Sequence, residues 1–261
     1  MRQRTNGFDR GIILVILIAL VGVGVAVVVY FQVRTDRISE IVRADEDLAV
    51  LFVVHEDGVP VFSEVFLYNP TTGRGAFFDV PNNVGLLIDS LRRVDRIAAV
   101  FEEQGVEAYR ERVQSLLGTP VSFYVTMSMG QLSNLVDLIG GIELFIANPQ
   151  QDVGQDDAVL LPSGNVTLDG SKITTYLTFD DPTERTSECT SRRQKFLQGF
   201  LGSLGDNASF LVHRDVVPHF TKNLESNLDR RSLLAFIEEL SKFDEDRVVT
   251  RRFQGNVRVV E

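Results

Sequence analysis

The stretch Leu116–Pro149, LLGTPVSFYVTMSMGQLSNLVDLIGGIELFIANP, changes its hydrophobic period repeatedly, and those changes decide the fold class. Its first residues finish a helix. Tyr109, Val113, Leu116 and Leu117 fall at i, i+4, i+7 and i+8, and Gly118 is the kind of residue that ends such a run. Val121–Thr126 reads as a strand. Leu132, Leu135, Val136 and Ile139 return to the helical period, Gly140-Gly141 closes it, and Ile142–Ala147 is another strand.

The same alternation continues on both sides. Upstream, Leu48–Val54 is a continuous apolar run, as expected of a strand buried on both faces. Val59–Tyr68 and Gly75–Val80 are two further strands, separated by the turn chemistry of Asn69-Pro70-Thr71-Thr72-Gly73. Downstream, a short helix is expected over Ser171–Phe179, an amphipathic helix through Leu197, Phe200, Leu201 and Leu204, and another through Leu233, Phe236, Ile237 and Leu240. Val248–Phe253 is a candidate closing strand. Strands alternating with helices predict a layered α/β fold, with helices on both faces of a sheet.

Residues 11–33 hold no charge for 23 positions, enough to cross a bilayer as a tilted helix. Arg2, Arg4 and Arg10 precede the run and Arg34 and Arg37 follow it, which predicts a cytoplasmic tail over residues 1–10. A cleaved signal peptide is the rival reading, but its apolar region would normally be about 7–15 residues. The expected organisation is tail 1–10, transmembrane helix 11–33, juxtamembrane stalk 34–47, extracytoplasmic domain 48–255 and C-terminal tail 256–261.

Composition removes several function classes. The formal net charge is −10 and no basic recognition helix stands out, so nucleic acid is not an expected partner. Cys189 is alone, which rules out an internal disulfide. His55, His213 and His219 are scattered, so no zinc cluster is expected. Eighteen Phe supply ample material for a core.

Segment order and motifs together resemble the extracytoplasmic domain of the LytR–CpsA–Psr family. The block Leu116–Pro149 is similar to that family's helix, strand, helix, Gly-Gly and strand. LPSGNVTLDGSKITTYL (Leu161–Leu177) is similar to its Pro-x-Gly and Leu-Asp-Gly signature. FLYNPTTGRGAFFDVP (Phe66–Pro81), SRRQKFLQGFL (Ser191–Leu201) and the stretch Asn223–Gly255 also fit. The resemblance implies an α/β/α domain with a mixed central sheet that binds a polyprenyl diphosphate lipid. The tail would lie in an apolar tunnel and the diphosphate at its mouth. The implied activity is transfer of a glycopolymer from that carrier to peptidoglycan or another envelope acceptor. Carboxylates would hold Mg²⁺, and several Arg would neutralise the diphosphate, as phosphoryl transfer requires.

Carried over residue by residue, the pattern is incomplete. Asp57 matches the first acidic position and is the candidate metal ligand, while Val61 falls at the second. Asn82 and Asn83 follow Pro81 where the family has Arg and Asp. Arg96 fits a basic position near the diphosphate. Thr178-Phe179-Asp180 replaces Arg-x-Arg. Thr190-Ser191-Arg192-Arg193-Gln194 keeps Arg193 and Gln194 but loses the Arg three positions earlier. The candidate diphosphate residues are therefore Asp57, Asn82, Arg96, Arg193 and Gln194. For Arg193, ligand contact and plain structural pairing both stay open. Asp180, Asp181, Glu184 and Glu188 form either a substitute Mg²⁺ or Ca²⁺ site with Asp57 or a solvated acidic loop. Each hydrogen bond to a charged group contributes about 1.5–3 kcal/mol, so the four replaced Arg positions predict weak or absent transfer. The expected function is binding of a polyprenyl-(di)phosphate-linked precursor in the cell envelope. The alternative is a lapsed domain that serves as a protein-binding or scaffold module.

Overall fold

A computed structural model describes residues 17–24, 36–88, 92–151, 160–179 and 186–252. Residues 17–24 are helical and their apolar side chains, such as Leu17 and Leu20, are exposed. Most of the apolar run lies outside the described residues. Among the described residues, no helix is long and apolar enough to cross a membrane.

The core of the fold is a six-stranded mixed sheet. Strands β1 (Leu48–Glu56), β2 (Val59–Asn69) and β3 (Arg74–Asp79) form an antiparallel meander. The Asp57-Gly58 turn between β1 and β2 has positive φ at both residues, 49° and 81°, the mirror-image geometry that tight hairpins favour. Two hairpin strands, β4 (Gly85–Ile88) and β5 (Arg93–Arg96), lead into helix α2 (Ala98–Leu117). The block that opened the sequence reading then places β6 (Phe123–Ser128) parallel to β1, followed by helix α3 (Met129–Leu138) and strand β7 (Ile142–Ile146). Ser128 caps α3, its side chain accepting from the Gln131 N–H while the Gln131 side chain accepts from the Ser128 N–H.

β7 does not join the central sheet. After the short strands β8 (Gln150–Gln151) and β9 (Leu160–Leu161), it pairs antiparallel with β10 (Gly164–Leu168) in a separate ribbon. Helices α4 (Gly170–Thr178), α5 (Thr186–Asp206), α6 (Ala208–Leu211) and α7 (Val217–Thr221) follow. Strand β11 (Glu225–Ser226), helix α8 (Arg230–Leu240) and strand β12 (Val248–Arg252) complete the described residues, giving the sheet order β11-β6-β1-β2-β3-β12. β12 runs parallel to β3.

β1 alternates its side chains between two cores, as a strand buried on both faces must. Leu48, Val50, Phe52 and Val54 enter one core with residues of α3, α4, α5 and α8, whereas Leu51 and Val53 enter a second core under α2. The Leu-Asp-Gly motif also has a physical reason. Asp169 caps α4, and a Cβ on Gly170 would lie 2.5 Å from both the Ser133 carbonyl oxygen and the Asp137 carboxylate. Only a glycine lets α4 approach α3 this closely, and the Gly170 N–H donates to Asp137 Oδ1 at 2.7 Å.

The segment expected as a stalk is partly integral to the domain. Helix α1 (Arg37–Arg43) starts afresh, with Asp36 accepting from the Ser39 N–H as its cap. Ile38 is fully buried, the Arg37 N–H donates to Ser232 Oγ of α8 at 3.1 Å, and the Arg37 guanidinium lies 4.8 Å from the Phe123 ring centre. A free stalk would expose Ile38; packing against α8 removes it from water.

Candidate functional site

The candidate residues divide between one end of the sheet and the face beneath α5. Asp57 sits exposed at the β1–β2 turn. Asn82 follows β3 at the same end, and its amide Nδ2 donates to the carbonyls of Pro60 (2.7 Å) and Val61 (3.4 Å). Its donor is therefore engaged in tying the loop to β2, while its buried Oδ1 meets no donor. Chain connections bring Arg96 near Asn82, because the Ala98 N–H donates to the Asn82 carbonyl. The Arg96 guanidinium itself is exposed and paired with Glu102 at 2.9 Å.

Gln194 and Arg193 behave differently. Gln194 is 1% exposed, and its Nε2 donates to Glu64 Oε2 at 3.3 Å and to the Arg251 carbonyl at 3.2 Å. It is a structural link between α5, β2 and β12, not a group facing a ligand. Arg193 is half-buried, its Nε is sealed without a hydrogen-bond partner, and no carboxylate among the described residues pairs with it. Of the two candidate Arg, Arg96 is paired with Glu102, whereas Arg193 keeps its charge without a carboxylate partner among the described residues.

Sequence reading missed the most unusual feature of this region. Glu64 and Asp79 are direct cross-strand partners on the face under α5, with exposures of 0% and 7%. Gln194 donates to Glu64, and Thr190 Oγ1 donates to Asp79 Oδ2 at 3.3 Å. Two carboxylates directly opposite each other repel and are costly to bury. The signal was available, since Glu64 interrupts the apolar run Val61-Phe62-Ser63-Glu64-Val65-Phe66-Leu67.

The donor set does not fit Mg²⁺ in the implied way. Asp57 is on an exposed turn, Val61 offers no oxygen from its side chain, and no group of three His, Cys, Asp or Glu side chains among the described residues converges on a point. Asp180, Asp181, Glu184 and Arg185 lie outside the described residues.

The apolar layer where a lipid tail would lie is filled. Phe52, Val125, Leu135, Phe200, Phe220 and Phe236 surround a residual space of about 10 Å³. A single water needs roughly 10–15 Å³ by the same kind of measure, so this void is smaller than one isoprene unit. A different, open groove of about 410 Å³ lies between the end of β7, the end of α4 and the first turns of α5.

A mixed sheet layered between helices, with a Leu-Asp-Gly helix start and an Arg-Gln pair on the following long helix, defines the class of envelope domain named above as a resemblance. The LytR_cpsA_psr family model matches residues 74–261, and the chain belongs to that family. "Probable cell wall biosynthesis protein LcpB" of Corynebacterium glutamicum is 28% identical over 110 residues, covering 42% of this chain and 26% of that protein. The polyisoprenyl-teichoic acid–peptidoglycan teichoic acid transferase TagU of Enterococcus faecalis is 21% identical, covering 84% of this chain and 77% of the relative. TagV of Bacillus subtilis, with the same activity in its name, is 23% identical over 66% of this chain but only 45% of its own length. The chain thus spans from about a quarter to about three quarters of these relatives. Among solved structures, a transcriptional regulator from Enterococcus faecalis superposes with a TM-score of 0.72 at 20% identity, covering 84% of this chain and 80% of that one. Bacillus subtilis TagV gives 0.68 at 18% identity, covering 81% and 86%. At these identities the likeness establishes the fold alone.

Proposed function

We propose that this chain is a membrane-anchored, extracytoplasmic protein of cell-envelope biogenesis that has stopped transferring glycopolymer and acts as a binding module. The observation that carries the reading is the filled layer under α5: a residual void of about 10 Å³ leaves no room for a prenyl tail. The polar groups support it. Gln194 is engaged with Glu64, Arg96 with Glu102, and Asn82 with Pro60. Among the described candidates, one uncommitted Arg cannot neutralise a transferring diphosphate, which needs several converging charges. The uncharged run over residues 11–33 supports the anchor, and its basic flank supports a domain outside the cytoplasm.

The test uses the full chain in mild detergent. Phosphate release from a short-chain prenyl diphosphate with Mg²⁺ or Mn²⁺ is expected to match the rate without protein, and mass spectrometry should find no polyprenyl phosphate bound. Metal-dependent release that disappears in Arg193→Ala would overturn the reading. Protease added to intact spheroplasts should digest the domain; full protection would overturn the topology.

A second reading is favoured by Arg193, whose Nε is buried without a partner. In that reading the domain holds the diphosphate head of a lipid-linked precursor without turnover. Saturable binding of a prenyl diphosphate, lost in Arg193→Ala, would establish it.

A further inference from the structure

Among the described residues, only one cross-strand pair leaves two large apolar side chains exposed. It is Leu87 of β4 and Val94 of β5, directly opposite each other at 60% and 63%. The two strands pair with each other and with no third strand among the described residues. We propose that this hairpin face is a docking surface for a partner protein. It takes an extended acidic segment, in which an apolar residue has a carboxylate two positions to either side. The inference deepens the reading of the chain as a binding module and rests on it for the setting in the envelope; the surface itself is argued from the hairpin.

The pleat separates the two faces of the hairpin. Ile88 is fully buried in the smaller core and Leu86 packs against it, so the inner face holds the hairpin to the domain. Gly85, Leu87, Val94 and Arg96 alternate onto the outer face. Charge surrounds the apolar pair. Arg93 pairs with Asp95 at 2.7 Å and with Glu103, and Arg96 pairs with Glu102 at 2.9 Å. Both Arg side chains are 49% exposed, whereas Asp95 and Glu102 lie deeper, at 28% and 23%; Glu103 is the more open partner. Arg92, at the turn, is exposed, and no ion pair involves it among the described residues. Exposed ion pairs are weakly held, so these guanidinium groups remain available to an incoming carboxylate. An approaching chain therefore meets Arg side chains around an apolar centre, on a protein whose formal net charge is −10. Arg is among the residues enriched in protein interfaces.

Other occupants fit less well. A second copy seated face to face would set guanidinium groups against each other. A bilayer lies at the wrong end: α1 leads into Leu48, which pairs with Tyr68 and through it with the Gly75 end of β3. The hairpin instead follows the opposite end of β3, after Asp79. A polyanion would meet the Arg side chains but leave Leu87 and Val94 in water. An acidic extended segment covers the apolar pair and meets the charges. By adding a strand to the two-stranded ribbon it also gains main-chain hydrogen bonds, with alternate side chains reading one face.

An array of acetylated octapeptides tests this with the full chain in mild detergent. One set carries Val, Leu or Phe with Asp or Glu two positions to either side. A second set scrambles the same residues, a third replaces the acids with Lys, and a fourth replaces the apolar residues with Ser. Fluorescence anisotropy then gives dissociation constants for the best members. At least one peptide of the first set should bind about tenfold tighter than its scrambled, Lys and Ser counterparts. Leu87→Ser combined with Val94→Ser, both at exposed positions, should weaken that peptide about tenfold. Arg92→Asp should weaken it several-fold and reduce its dependence on salt; Asp tolerates the positive φ of 53° at this position. Unchanged midpoints in urea should show both variants to be folded. No first-set peptide binding above its counterparts, binding undiminished in the double variant, polyphosphate binding as tightly as the peptide, or a dimer of the chain that the double variant dissolves would each overturn the proposal. The array holds neither prenyl chain nor sugar and the readout is not transfer. Failure here therefore leaves the non-transferring reading standing, and turnover in the phosphate-release assay would leave this surface standing.

Discussion

The two faces of the central sheet are closed by different means. Beneath α5 and α8, one core draws Phe52, Phe62, Phe66, Phe77, Phe196, Phe200 and Phe236 into a layer shared by several helices. On the other face a smaller core is closed mainly by α2, with Phe101, Tyr109 and Val113 facing Leu51, Val53 and Val65. The larger face also buries Glu64, Asp79 and Gln194; the smaller one buries the hydrogen bond from Tyr109 Oη to Ser63 Oγ at 3.0 Å. The lesson is that the face where the family resemblance implies lipid handling is closed by many aromatic side chains from several helices, and it buries Gln194 bonded to Glu64 and Thr190 bonded to Asp79.

The sharpest way to break that comparison is to empty each side in turn. Phe200→Ala, at 2% exposure in the larger core, should cost about 3–5 kcal/mol in urea unfolding. Phe101→Ala, at 9% exposure beside the kink at Gly105, should cost less. An equal or larger loss at Phe101 would show that the thinner layer is the tighter one. The crossing of α5 and α8 gives the next largest effect. A Cβ on Gly205 would lie 2.2 Å from the Leu240 carbonyl oxygen, so Gly205→Ala must push the helices apart. We expect about 1–3 kcal/mol of destabilisation, and an unchanged melting temperature would show that α8 yields freely.

Tyr109→Phe sharpens the smaller face. Burial pushes the Tyr109 hydroxyl well above its ordinary range, partly opposed by the hydrogen bond to Ser63. Removing it should cost about 1–2 kcal/mol by stranding the Ser63 hydroxyl. Because the folded-state pKa is raised, the neutral phenol contributes its stability below pH 10 and loses it as pH climbs through the folded value. Tyr109→Phe should therefore flatten the alkaline limb of the stability profile. The smallest effects are at acid pH. Desolvation lowers the pKa of His55, with Glu225 opposing, so its neutral form contributes stability above its ordinary value of 6.5 and that contribution is lost as pH falls through the lowered value. His55→Gln should flatten the profile just below pH 6.5. Asp229, whose carboxyl is held low by the Ser232 N–H at the start of α8, acts further down. Asp229→Ala should remove about 1 kcal/mol above the ordinary carboxylate range, with no loss once the acid is protonated.

Much of the fold was legible. Leu48–Val54 reads as buried on both faces because no polar residue breaks it, and it lies within Leu48–Glu56, buried throughout those seven positions. Asp169-Gly170 and Gly140-Gly141 announce helix boundaries that the structure places where expected. The β4–β5 hairpin was not legible, because Arg92, Arg93, Asp95 and Arg96 supply charge without alternation. Nor was the early start of α2 at Ala98, since Gly105, with φ 83°, interrupts the helix before the periodic Tyr109 and Val113 begin. The pairing of β7 with β10 outside the main sheet depends on long-range contacts that no local pattern encodes. The site was half legible. Sequence picked out Arg193 and Gln194 together, but whether each is bound to a neighbour is a tertiary fact. Only the structure separates the engaged Gln194 from the uncommitted Arg193.

The docking of α1 has a mechanical corollary. Ile38 is clamped in the core and Asp36 caps the helix, so the chain emerges from the domain at a fixed point. Val33, the last residue of the uncharged run, stands three positions before that cap, a tether of at most roughly 11 Å when fully extended. In the proposed topology, with the run seated in a bilayer, so short a leash would hold the domain against the headgroups and limit how far it can tip. The side carrying α1 and α8 would then be turned toward the lipid, and whatever the protein engages must come to it from the opposite side.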